Sequence, residues 1–99
     1  MKTRIESDSM GELKVPEDAL YGAQTQRAIN NFPVSGKSMS EAFIRALLVA
    51  KSAAAQANTS LGLLAPNVGN AITVVAQELL QSSELMCHFP VDVYQTGSG

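Results

Sequence analysis

The sequence lacks several features that would place it outside the cell or in a membrane. It has a single cysteine, Cys87, which cannot form an internal disulfide. No stretch reaches the roughly 18 uninterrupted apolar residues of a membrane-spanning helix, and the N-terminal residues lack the apolar centre of a signal peptide. We therefore expect a reducing setting, with the cytoplasm as the default location, and no membrane partner.

Charge is also scarce, and it is unevenly distributed. Residues 52–99 contain no lysine or arginine and only three charged side chains, Glu78, Glu84 and Asp92. The seven basic residues are scattered from Lys2 to Lys51 in a chain of net charge −2, which argues against a nucleic-acid partner. A free surface normally carries more charge, so we expect further polypeptide or partner subunits to cover much of the second half. We interpret the 99 residues as a fragment.

The only histidine, His88, follows Cys87 directly and raises the question of a metal site. Zinc takes about four ligands, and adjacent residues rarely point at the same ion. We therefore predict no metal site in this chain.

The order of local signals predicts a mainly α chain that begins with a short hairpin or extended arm over residues 1–15. A turn is expected at Asp8 to Gly11, within a weak alternation of apolar and polar residues. A short helix is expected over residues 16–31, because Pro16 suits a first helical turn and Pro33 forces an end.

The strongest helix signal covers residues 39–61. Ser38 and Glu41 have the spacing of a capping box, and Gly62 supplies a C-terminal stop. The apolar patch of this helix consists of Phe43, Ile44, Leu47 and Leu48.

A third helix is expected over residues 66–83, opened by Pro66, with four residues at core spacing: Val68, Ile72, Val75 and Leu79. Its other face is polar but uncharged, with Asn70, Thr73, Gln77 and Gln81. Contact with another protein surface and ordinary solvation explain that face equally well. No linker or repeat divides the chain, so we expect one domain over residues 1–99.

The chain ends in an extended segment and a glycine turn, together residues 89–99. Glycine flanks Ser98 on both sides, so backbone N–H groups and one hydroxyl can converge there on an anion. Taken alone, the same residues are also compatible with a plain flexible turn.

Four stretches together resemble the N-terminal segment of class II fumarate hydratases, in the fumarase/aspartase superfamily. They occur in the order and spacing of that family: RIESDSMG at 4–11, VPEDALYGAQTQRA at 15–28, NFPVSG at 31–36 and FPVDVYQTGSG at 89–99. The resemblance implies the N-terminal domain of the fumarase/aspartase fold, with about three helices after the hairpin.

The resemblance also implies a function for the parent protein, the reversible hydration of fumarate to (S)-malate in the tricarboxylic acid cycle. It implies that Ser98 and Gly99 help to hold a substrate carboxylate, with a weaker claim for Thr96. In this family the catalytic serine and histidine lie further downstream, so no catalytic residue is assigned to residues 1–99 and the fragment alone is expected to be inactive. The family works as a homotetramer without metal or organic cofactor, and each active site combines three protomers.

Two alternatives stay open at this point. Aspartate ammonia-lyase shares the approach to the turn, but typically has Gly-Gly-Ala-Gly where this chain has Thr96 to Gly99. The other alternative is a helical interaction module without catalytic activity, which the sparse charge and the incomplete site allow.

Overall fold

A computed structural model describes residues 2–95 of the chain. Two strands, three α-helices and one 3₁₀ helix follow in the order β1, β2, α1, α2, α3, η1 within this part. Contacts group the chain into two compact units. The first unit combines Met1–Met39 with Met86–Gly99, and the second is Ser40–Leu85.

The first unit opens with the predicted hairpin. Strands β1 (Thr3–Asp8) and β2 (Gly11–Pro16) pair antiparallel from Thr3 opposite Pro16 to Asp8 opposite Gly11, so two residues form the loop. Gly11 has a φ of 117°, which residues with a side chain rarely adopt. Val15 is fully buried on the inner face of β2. The turn predicted at Asp8 to Gly11 is confirmed.

Helix α1 spans Ala23–Asn31, so the prediction of a helix from residue 16 was wrong. Pro16 ends β2 instead of opening a helix. The Arg4 guanidinium donates over 2.8 to 3.0 Å to four carbonyl oxygens, that of Pro16 at the end of β2 and those of Glu17, Ala19 and Tyr21 in the connecting segment. These bonds to Arg4 stabilise a non-helical path, which local propensity does not reveal.

Helix α1 is joined to the hairpin by an ion pair. The Arg27 side chain donates to both oxygens of Asp8, from Nε over 2.9 Å and from Nη2 over 2.8 Å. Asp8 also accepts the Met10 N–H over 2.9 Å, inside the hairpin turn. The hydrogen bond from Arg27, helped by that from Met10, lowers the pKa of Asp8 below its ordinary value.

The second unit is a pair of helices, α2 (Glu41–Ser60) and α3 (Pro66–Gln81). The N-cap of α2 is Ser40, whose Oγ accepts the Phe43 N–H over 3.2 Å. The capping box predicted at Ser38 was therefore wrong, since the side chain that reaches the first turn lies two residues later. The predicted stop is confirmed, because Gly62 has a φ of 76° and donates its N–H to the carbonyl of Thr59.

Small residues lie where α2 and α3 approach each other. Ala55 of α2 and Gly69 and Ala76 of α3 are buried, and a Cβ at Gly69 would collide with the Thr59 side chain. The Arg45 guanidinium joins the two helices by donating to the Leu80 carbonyl over 2.7 Å.

The apolar residues predicted as the core of α3 are not its buried residues. Val68, Ile72 and Val75 are 39 to 47% exposed. On α2, two members of the predicted patch are buried, Ile44 and Leu48, whereas Phe43 and Leu47 are exposed. The apolar face of α3 is therefore largely uncovered in the part of the chain that the structure describes.

Residues 89–95, the described part of the extended stretch predicted over residues 89–99, do not form a strand. A short 3₁₀ helix, η1 (Leu85–His88), comes first. Within 89–95 the only β-pairing is an isolated bridge between Asp92 and Ser38, and residues 93 and 94 form a turn. The valines favour strand, but side-chain hydrogen bonds of Asp92 give the backbone an alternative.

Candidate functional site

The predicted substrate-binding residues Thr96, Ser98 and Gly99 lie outside the described residues. The structure does describe the segment that leads to them, as far as residue 95. That segment is held by a set of contacts centred on Asp92, and we call this set the Asp92 cluster. Its members are Ser35, Gly36, Lys37, Asp92, Val93 and Tyr94.

The Asp92 carboxylate accepts hydrogen bonds from two distant segments. Oδ2 accepts the N–H groups of Ser35 over 2.8 Å and Gly36 over 2.9 Å, and Oδ1 accepts the Tyr94 N–H over 2.9 Å. The Ser35 Oγ lies 2.9 Å from Oδ2 and 3.0 Å from Oδ1. With only 7% of the residue exposed, these donors replace most of the water that would otherwise solvate the charge.

Backbone bonds extend the cluster on either side. The Val93 N–H donates to the Lys37 carbonyl over 3.0 Å, beside the bridge between Ser38 and Asp92. The Gln95 N–H donates to the Asp92 carbonyl over 3.0 Å. The last described residue before the predicted site is therefore bonded directly to Asp92.

A tight loop presents the donors of residues 35 and 36. Gly36 has a φ of 73°, in the left-handed region that other residues enter at a cost. Consecutive N–H groups of Ser35 and Gly36 point at the same oxygen, an arrangement that favours an anion. Ser35 also accepts the Lys37 N–H at its Oγ over 3.1 Å, which closes the loop.

These donors lower the pKa of Asp92 from 3.8 to about 2, the Tyr94 N–H most strongly, followed by the Ser35 N–H and hydroxyl and the Gly36 N–H. Partial desolvation opposes the shift without cancelling it. Because the pKa is lower in the folded state, the cluster adds stability at pH values above the unfolded value, and this stability is lost as the pH falls towards about 2. At neutral pH the group is ionised and far from the pKa that suits a general acid or base.

A cavity of about 370 Å³ lies beside the cluster, within the first unit. Apolar side chains form most of its wall, including Ile29, Phe32 and Met86, and Lys37 and Asp92 also line it. The Asp92 oxygens already accept backbone N–H groups, so the cluster is suited to hold the chain in place rather than to carry out chemistry.

Among residues 2–95, no three histidine, cysteine, aspartate or glutamate side chains lie together as a metal site would require. Cys87 is exposed, and the neighbouring His88 has a buried Nδ1 that finds no hydrogen-bond partner within this part of the chain. No helix formed by the described residues is long and apolar enough to cross a membrane.

Sequence reasoning did not assign a role to Asp92, Ser35 or Gly36. Each lies in one of the stretches that carry the family resemblance, NFPVSG and FPVDVYQTGSG, more than 50 residues apart. The available signal was Asp92 itself, a charge between two valines in the half of the chain that carries only three charges.

The comparison with protein families defines the class. The family model described as Lyase matches residues 11–99, which is most of the chain. The chain belongs to this lyase family.

Individual relatives narrow the similarity from the lyase family to class II fumarate hydratases. The chain is 66% identical over 97 residues to fumarate hydratase class II 2 of Pseudomonas aeruginosa, an alignment that covers 98% of this chain and 21% of the relative. The resemblance to the N-terminal segment of class II fumarate hydratases is confirmed. The chain spans about a fifth of the length of the curated relatives it matches.

Solved structures share the fold. A crystal structure of fumarate lyase:delta crystallin from Brucella melitensis superimposes with a TM-score of 0.88 at 41% identity, over 99% of this chain and 22% of that one. The class II fumarase of Schistosoma mansoni gives 0.88 at 31% identity, over 96% of this chain and 20% of that one. The predicted mainly α fold with a short N-terminal hairpin is confirmed as that of the N-terminal domain of fumarases.

Proposed function

We propose that this chain is the N-terminal part of a class II fumarate hydratase, an enzyme that reversibly adds water to fumarate to give (S)-malate. The observation that carries the proposal is the 66% identity to the Pseudomonas aeruginosa fumarate hydratase. The match to the lyase family runs through residue 99, so it includes the predicted substrate residues Thr96, Ser98 and Gly99.

The proposed chemistry requires hydrogen-bond donors around one substrate carboxylate. Removal of the proton next to that carboxylate places negative charge on its oxygens, as an aci-carboxylate, and fixed donors lower the barrier. The Ser98 hydroxyl and the backbone around Gly99 are the proposed donors in this chain, with Thr96 beside them.

The rest of the active site must come from elsewhere. A dicarboxylate needs cationic partners, and residues 52–99 contain no lysine or arginine. We propose that downstream chain and neighbouring subunits of a homotetramer supply them, together with the catalytic serine and histidine. The exposed apolar residues of α2 and α3 support such an assembly: Phe43 is 49% and Val75 47% exposed, and exposed apolar patches mark surfaces that other protein covers.

On this proposal the enzyme acts in the tricarboxylic acid cycle, in the cytoplasm, on a small dicarboxylate. The chain of residues 1–99 holds part of the substrate site and no catalytic residue. Alone it does not hydrate fumarate.

The test compares the 99-residue chain with the complete product of its gene. Loss of fumarate is followed by ultraviolet absorbance, and release of ammonia from aspartate is measured in parallel. We expect the complete product to hydrate fumarate and the 99-residue chain to show no activity. Ammonia release without hydration of fumarate would identify an aspartate ammonia-lyase. Absence of both activities in the complete product would favour a helical interaction module. Either result contradicts the proposal.

A further inference from the structure

We infer that Asp92 is a positioning residue for the substrate turn, fixing the start of the segment from which Ser98 reaches the substrate carboxylate. This inference rests on the proposed function, since it assigns Ser98 to that carboxylate. The sequence alone assigned no role to Asp92. Its partner loop, residues 35–37, lies far from it in the sequence.

Asp92 is buried, with 7% of the residue exposed. Among residues 2–95 it is the only charged residue that is buried as a whole, and it has no cation within ion-pair distance in that part of the chain. N–H groups of Ser35, Gly36 and Tyr94 solvate the carboxylate instead. A charge buried in this way fixes the backbone of its donors, because a donor that moves away leaves the carboxylate incompletely solvated.

Only a few residues separate Asp92 from Ser98. The Tyr94 N–H binds the Asp92 side chain and the Gln95 N–H binds its carbonyl, so both residues after Val93 are held by Asp92. One peptide bond then leads from Gln95 to Thr96, and Ser98 follows two residues later. A displacement of Asp92 therefore passes directly to the residues that precede the turn.

The sequence of the turn restricts the backbone around Ser98 very little. Glycine precedes and follows Ser98, and glycine restricts the backbone less than any other residue. Because these glycines restrict the backbone on either side of Ser98 so little, we expect its position to depend on the segment that precedes it. Within residues 2–95, the bonds that hold it include those to Asp92 and to the Lys37 carbonyl.

The test uses the complete gene product and the variant Asp92→Asn, which keeps the side-chain size but replaces one acceptor oxygen by a donor that faces N–H groups. We expect the KM for fumarate and the Kd of malate, measured by titration calorimetry, each to rise about tenfold, because a small misplacement of a positioning group is costly. Loss of folded enzyme alone would lower the apparent kcat and leave both constants unchanged. The control is Asp18→Asn, an exposed aspartate in the first unit, which should match wild type.

A second pair of variants keeps the test valid if Asp92→Asn does not fold. Ser35→Ala removes one hydrogen bond to the carboxylate, and we expect a rise in KM of about fivefold. Ser35→Thr keeps the hydroxyl and should restore KM to within about twofold of wild type. Suppose that wild type hydrates fumarate and that every variant of the two, Asp92→Asn and Ser35→Ala, that folds keeps the wild-type KM and malate affinity. That result would overturn the positioning role and leave the proposed function standing. Wild type inactive on fumarate would overturn the proposed function as well.

Discussion

Removal of the Arg4 guanidinium should loosen the segment between the hairpin and α1. In the folded chain Arg4 donates to four carbonyl oxygens, three of them in partly buried bonds and one in an exposed bond. Each partly buried bond contributes about 1 kcal/mol and the exposed one little, so Arg4→Ala should lower the free energy of local opening by about 3 kcal/mol. Arg4→Lys keeps the charge but not the planar fork, so it should lose about 1 to 2 kcal/mol.

Native-state hydrogen exchange on the complete gene product measures this effect as a lower free energy of local opening for amides in the hairpin and in α1. Helices α2 and α3 should show wild-type protection, because the Arg4 side chain donates its hydrogen bonds to the hairpin and to the segment before α1. Lys14→Ala, an exposed change on the same hairpin, is the matched control. A change of less than about 0.5 kcal/mol in the free energy of local opening for Arg4→Ala would contradict the stabilising role of these hydrogen bonds. Wild-type protection in Arg4→Lys would contradict it as well.

Three further perturbations test other contacts, each by the same exchange measurement. Ser40→Ala should destabilise the first turn of α2 by about 1 kcal/mol whereas Ser38→Ala should not, and the reverse result would restore Ser38 as the cap. Gly69→Ala should cost about 1 to 3 kcal/mol in α2 and α3, and adding Thr59→Ala should recover part of it; full additivity would contradict the close approach. Asp8 has a pKa below its ordinary 3.8, so its contribution to the hairpin is present above pH 4 and lost on acidification, and Asp8→Asn should remove this pH dependence.

Local signals sufficed for part of the fold. The hairpin turn and the end of α2 depend on glycines at positive φ, Gly11 and Gly62, and such positions can be recognised from neighbouring residues alone. The start of α1 could not be recognised in this way. Pro16 is a good first helical residue in isolation, but the bonds from Arg4 to the following carbonyls outweigh that preference.

Contacts between residues that are distant in sequence account for the other differences between the predicted and the observed structure. Periodicity identifies an apolar stripe on α3 through Ile72 and Val75, but it does not say which partner covers the stripe. The buried residues of α3 are Gly69 and Ala76, and Gly69 lies against Thr59 of α2. The Asp92 cluster is a stronger case. Ser35 and Asp92 are 57 residues apart, so no local pattern relates them, and only the fold brings the carboxylate to its donors.

The most direct test of the proposed function is kcat/KM for fumarate, measured on the complete gene product and on its Ser98→Ala variant. We expect wild type to hydrate fumarate, and we expect loss of the Ser98 hydroxyl to lower kcat/KM by about 10² to 10³, as loss of one donor at a developing oxyanion does. A wild-type protein without hydratase activity, or a Ser98→Ala variant with wild-type kcat/KM, would contradict it.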